Sequence, residues 1–236
     1  IMLLTIVSCE DMMGDFLEKA PGVDVTEDTI FSSRSQVEMF LASIYEYGVH
    51  SNLGLGSPDN GAPAIANSAG TIDAGATDEA EACANWYDPQ KWNNASVSPD
   101  NTDDPRFSHR FTAIRKVTVM LDRVDEVPDI TKEYANQLKA ESKFIRALNY
   151  FEMFKRYGGV PIIDHRLQLD ENLKIPRSSV EDVVNFIVKD CDEAIPDLPI
   201  NQLGVLRGRA TRGAALALKA RTLLYAASDL FNTDKP

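Results

Sequence analysis

The sequence predicts an all-α protein of stacked helix pairs, interrupted once by a long irregular loop. Three observations point there. Five segments carry apolar residues at helical spacing, bounded by cap or stop residues. Residues 49–106 show neither helical nor strand period. A short pattern, Arg146-x-Leu148-x-Tyr150, returns 75 residues later as Arg221-x-Leu223-x-Tyr225.

Ser35-x-x-Glu38 reads as a capping box. Val37, Phe40, Leu41 and Ile44 follow it as one stripe, and Gly48 marks the stop. Between 49 and 106 fall five Gly, five Pro and seven Asn, together with both tryptophans of the chain, Trp86 and Trp92. A stretch this long without period is uncommon in a compact domain and usually functional or disordered. Helix resumes near Phe107, with Phe111, Ile114, Val117, Leu121 and Val124 on one stripe and Pro128 as stop. Thr131 is placed to cap the longest helix, Lys132 to Tyr157, about 39 Å at 1.5 Å per residue. Gly158-Gly159 end it, and Pro161 favours an extended Val160. Ser178-x-x-Glu181 reads as a second capping box. It opens a stripe of Val180, Val183, Val184, Ile187, Val188, Cys191 and Ile195, closed by Pro196. The last predicted helix, Arg212 to Phe231, is rich in alanine, and small residues let helix axes approach closely.

In the echo of Arg146 and Arg221, Ala140 also has its counterpart in Ala215. Two periods of a 34-residue helix-turn-helix repeat plus a short insertion give about that spacing. The predicted scaffold is therefore of tetratricopeptide type, with the echoed Arg and Tyr serving packing and hydrogen bonding.

The chain has 236 residues, 44% hydrophobic and 25% charged, the balance of a globular protein. That length buries a sizeable core without metal or disulfide staples. Lys plus Arg is 24 and Asp plus Glu 36, so the net charge is 24 − 36 = −12. Such a surface repels phosphate backbones and anionic headgroups, which argues against nucleic acid and basic-patch membrane binding. Asp122, Asp125 and Glu126, and likewise Asp190, Asp192 and Glu193, read as solvated helix faces rather than paired catalytic carboxylates. His50, His109 and His165 lack ligand spacing and no Cys-x-x-Cys occurs, so no metal or cofactor is expected. Cys83 and Cys191 could pair, but Cys191 on an apolar helix face reads as a free buried thiol.

Residues 1–9 begin Ile-Met-Leu-Leu-Thr-Ile-Val, too short to span a bilayer, and continue into Ser8-Cys9. An apolar run, a small residue and a Cys resemble a signal-peptide end with a bacterial lipobox, which implies acylation of Cys9. Glu10-Asp11 resemble the acidic surface-export signal of certain bacterial lipoproteins. Residues 10–33 then read as a tether, and 34–236 as the helical-repeat domain.

The segment from Ala140 to Ile163, AESKFIRALNYFEMFKRYGGVPII, closely resembles a hallmark of the SusD/RagB family of outer-membrane lipoproteins. So does Gly213 to Asn232, GAALALKARTLLYAASDLFN. The order of lipobox, acidic tether, Phe16-Leu17-Glu18, first helix and a long loop containing Thr77-Asp78-Glu79-Ala80 resembles the family as well. The resemblance implies a non-catalytic, cell-surface binder that captures a glycan, or sometimes a peptide, and delivers it to a SusC-type TonB-dependent transporter. The family's chains usually continue past the second hallmark, so the resemblance implies the N-terminal portion of a longer protein.

Sugar rings present apolar C–H faces and a polar rim. Flat aromatics stack on the faces, and Asn or Asp bond vicinal hydroxyls. Asn85-Trp86-Tyr87-Asp88 and Lys91-Trp92-Asn93-Asn94 combine both within ten residues. The expected ligand-binding residues are therefore Trp86, Trp92, Tyr87 and Asn93, the competing role of the aromatics being to pin the loop to the core. Asp78 and Glu79 are expected to tie the loop down through backbone N–H groups. The rival functions are a peptide-binding member of the family and a helical-repeat scaffold that binds only proteins.

Overall fold

Helix formation starts at Thr26, whose Oγ1 accepts from Thr29 N at 3.3 Å and opens a short helix, α1 (Glu27–Ile30). The computed structural model describes residues 26–50, 78, 93–98, 100, 106–168 and 170–232. Helix α1 lies within the segment read as a tether, and Phe31 directly after it is 3% exposed, inside the core.

Helix α2 runs Arg34–Tyr45 and its cap is Ser33, not Ser35: Ser33 Oγ accepts from Gln36 N. A tertiary tie fixes that start, because Arg34 N donates to Asp129 Oδ1 at 2.5 Å. Glu38, freed from capping, accepts instead from Arg34 Nε at 2.8 Å and Tyr134 Oη at 2.6 Å. The chain does not stop at Gly48 but continues as a π-helical turn, Glu46–His50. Gly48 is buried against the long helix that spans Lys132–Tyr157, where Asn149 Nδ2 donates to its carbonyl at 3.0 Å.

Helix α3 (Phe107–Arg123) runs into a 3-10 turn at Val124–Glu126. Ile114, Val117 and Val124 of its stripe are fully buried, while Phe107 at the start is 38% exposed. Helix α4 (Lys132–Tyr157) has the predicted bounds. Thr131 Oγ1 accepts from Tyr134 N, Lys155 and Arg156 sit in the last turn, and Gly158 ends the helix at φ +69°. Helix α5 (Val180–Ala194) opens one residue later than the capping-box reading: Ser179 and Asp182 form the box, not Ser178 and Glu181. Ser178 serves the backbone instead, its N–H reaching Val160 O at 3.2 Å. Helix α6 is Arg212–Ala226, shorter than predicted, followed by a 3-10 turn at Asp229–Phe231.

Helix α4 is the centre of the body, with α3 on one side and α5 on the other, and α6 against α5. Its N-terminal half shares a core with α2 and α3 through Leu41, Ile44, Val117, Met120 and Leu138. Its C-terminal half shares another with α5 and α6 through Tyr150, Phe151, Phe154, Val183, Ile187 and Leu218. Small residues, Ala140, Ala194, Ala210 and Ala215, fill a third core beside them.

The sequence echo has a geometric counterpart. Arg146 lies over the Phe186 ring at 4.9 Å and Tyr150 meets the same ring edge-to-face at 5.0 Å. Arg221 lies over Phe151 at 5.6 Å and Tyr225 meets that ring at 5.4 Å. In each case an Arg and a Tyr one turn apart hold a Phe of a neighbouring helix.

Candidate ligand-binding face

Of the predicted ligand-binding residues, Asn93 is described; Trp86, Tyr87 and Trp92 lie outside the described residues, as do Cys9, Glu79 and Cys83. Asn93 is exposed at the start of a turn. Asn94 Oδ1 accepts from Ser96 N at 3.0 Å and Ala95 takes φ +58°, which together bend the chain there. Asp78 is exposed.

At the head of α3, Arg106 and Arg110 are buried, 9% and 0% exposed. Beside them opens a cleft of about 350 Å³ lined by Phe107, Tyr157, Gly159, Val160, Pro161 and Arg177. The Phe107 and Tyr157 rings meet edge-to-face at 5.3 Å, and Phe111 supports Phe107 at 5.1 Å. Arg177 donates from Nε to Gly159 O at 2.7 Å and from Nη2 to Tyr157 O, so the guanidinium is held in place. The cleft offers aromatic faces and a fixed polar group together, the combination that sugar rings require. Sequence reasoning assigned Phe107 to a core stripe and gave Tyr157 no binding role. The available signal was Phe107's place directly after the loop.

A second groove, about 490 Å³, runs between α2 and the α5–α6 connection and is lined by Glu38, Leu41, Tyr45, Val49, Leu206 and Arg209 among others. Its wall is a buried clamp. Glu141, fully buried, accepts two bonds from Arg209, Nε to Oε2 at 2.7 Å and Nη2 to Oε1 at 2.8 Å. It also accepts from Tyr45 Oη at 2.7 Å and Gln137 Nε2 at 3.0 Å. Tyr45 Oη in turn accepts from Ala210 N at 2.7 Å. Burial, with the Glu141 charge added, pushes the Tyr45 hydroxyl far above the usual tyrosine range, so it stays a donor.

The carboxylates weighed as a catalytic pair are bound to cations. Asp190 corrects the reading of a solvated face: it is 1% exposed and accepts from Arg146 Nε and Nη2 at 2.7 and 2.8 Å. Asp192 pairs with Lys219, Glu193 with Lys143, and Asp125 with Lys139. Cys191 is a free buried thiol, as its helix face predicted. Burial raises its pKa to about 12, so it is no nucleophile at neutral pH. Among the described residues no group of His, Cys, Asp and Glu could hold a metal ion, and no helix is long and apolar enough to cross a membrane.

The helix pairs and the two Arg–Tyr pinches define an all-α fold of tetratricopeptide-like helical repeats. Comparison with known proteins identifies the family. The family model of SusD-like proteins, described as starch-binding and associating with the outer membrane, matches residues 15–224. The chain belongs to this family. A SusD-like protein of Formosa agariphila is 26% identical over 93% of this chain and 41% of its own length. Another, of Bacteroides ovatus, is 24% identical over 94% of this chain and 37% of its own. The chain thus spans about two fifths of the length of these two relatives. Among solved structures, a SusD-like protein of Bacteroides fragilis superposes with a TM-score of 0.63 at 30% identity, over 88% of this chain and 38% of the other. A laminarin-binding SusD-like protein gives 0.70 at 23% identity, over 83% and 41%, a likeness of fold.

Proposed function

We propose that this chain captures oligosaccharides at the bacterial cell surface and delivers them to a SusC-type TonB-dependent transporter, without catalysing a reaction on them. The supporting observation is the match of residues 15–224 to a family described as starch-binding and associated with the outer membrane. Acylation of Cys9, at the end of residues 1–9, would hold the protein there, with the segment from 10 as spacer and the helical repeats as the binding body. Trp86 and Trp92 supply the stacking platforms of the binding loop, with Tyr87 and Asn93 beside them. The cleft of Phe107 and Tyr157 begins at the residue that follows residues 49–106 in sequence and adds an aromatic surface of its own.

Isothermal titration against soluble starch and a panel of other α- and β-glucans tests the reading. Binding of at least one glycan is expected. Trp86→Ala or Trp92→Ala is expected to weaken it about tenfold, the loss of roughly 1.4 kcal/mol of stacking, with helical circular dichroism unchanged. Unaltered affinity in both variants would remove the loop as the site, and a chain that binds no glycan would overturn the function.

A further inference from the structure

The segment after α4 carries a histidine in an arrangement that the binding function does not use. His165 Nδ1 lies 2.7 Å from Asp164 Oδ1 and its Nε2 lies 3.1 Å from Glu171 Oε2. Ionised carboxylates only accept hydrogen bonds. A neutral imidazole has one N–H, so it satisfies one of these contacts and sets a lone pair against an oxygen at the other. Only the imidazolium donates to both.

The same segment is a strap. Arg146 Nη1 from α4 donates to Asp164 O at 3.0 Å, which fixes its start. Gln168 Nε2 reaches Arg166 O and Glu171 N reaches Gln168 O, both at 3.3 Å, so the chain turns back on itself. Between these ties Arg166 reaches outward, 2.9 Å from Glu27 of α1 and 3.6 Å from Asp122 of α3. Arg123 of α3 holds α1 as well, 2.9 Å from Asp28 and 3.8 Å from Glu27.

We propose that the proton shared out by His165 ties Asp164 to Glu171, and that this tie presents Arg166 to α1, the first of the described helices. The charged groups of the surrounding elements fit this assignment. Arg146 of α4 is committed to the Asp190 carboxylate of α5, and Glu27 and Asp122 face Arg166. The imidazole is thus left with Asp164 and Glu171, and both raise its pKa above the usual histidine value of 6.5, the Asp164 hydrogen bond most. The sign follows from that direction. The contribution is complete below about pH 6.5 and is lost as pH rises through the elevated value.

Two measurements on the full chain test this. Ring-nitrogen NMR titration of His165 is expected to give a pKa above the free value, lowered by Glu171→Gln. Amide exchange of Glu171, whose N–H reaches Gln168 O, corrected for the intrinsic rate, is expected to lose protection between pH 6 and pH 8.5. In Glu171→Gln, which keeps the histidine, and in His165→Gln, protection is expected to be low at both. Parallel loss of protection in Glu27–Ile30 supports the grip on α1. Protection that is equal at the two pH values, or that survives in both variants, overturns the strap.

Discussion

At Gly48 the π-helical turn passes so close to α4 that a Cβ would sit 2.2 Å from Ile145 Cγ2 and 3.0 Å from Asn149 Nδ2. Ile145 is β-branched and fully buried, so its methyl has little room to turn away. Gly48→Ala is expected to lower unfolding free energy by about 1–3 kcal/mol, read from denaturant midpoints. The Arg146–Asp190 pair makes a second residue-scale test. Both side chains are almost wholly buried, at 6% and 2% exposure. Asp190→Ala leaves a buried guanidinium unpaired and is expected to cost about 3–5 kcal/mol, whereas Asp192→Ala, in an exposed pair with Lys219, is expected to cost under about 1 kcal/mol. Equal losses in the two variants would contradict the burial described here.

At the scale of elements, the stripes and stops of α3 and α4 are legible in the sequence because periodicity is a local property. The caps are less so. Ser178 and Ser179 both precede an acidic residue at the right spacing, and local chemistry does not separate them. The backbone bond from Ser178 N to Val160 O does, by committing Ser178 to the incoming strand of chain and leaving Ser179 as cap. Ser179→Ala is expected to cost about 1 kcal/mol and Ser178→Ala a few tenths, measured by thermal unfolding. The same reasoning explains Ser33 over Ser35, where Asp129 captures the Arg34 amide.

Across the whole molecule, Glu141 joins elements that are distant in sequence. It ties α4 to α2 through Tyr45 and to the α5–α6 connection through Arg209, 68 residues away. Glu141→Gln removes the charge that holds Arg209 and is expected to cost about 3 kcal/mol. Amide exchange in residues 206–211 is expected to accelerate more than exchange in α3, because the connection loses its buried anchor while the α3–α4 core is untouched. Uniform acceleration would mean that the clamp does not act locally.

The sequence by itself determined the helical class, the bounds of α4, the burial of Cys191 and the family. These follow from spacing, composition and short motifs, all of them local along the chain. Tertiary structure decided which serine caps, which acidic residue of Asp190, Asp192 and Glu193 is buried, why Gly48 is glycine, and that Phe107 and Tyr157 share a cleft. Each of those turns on a partner that is remote in sequence: 44 residues for Arg146 and Asp190, 101 for Gly48 and Asn149, and 50 positions between Phe107 and Tyr157. No pattern along a single helix carries that information, because desolvation and close contact are set by the neighbour that arrives, not by the residue that waits.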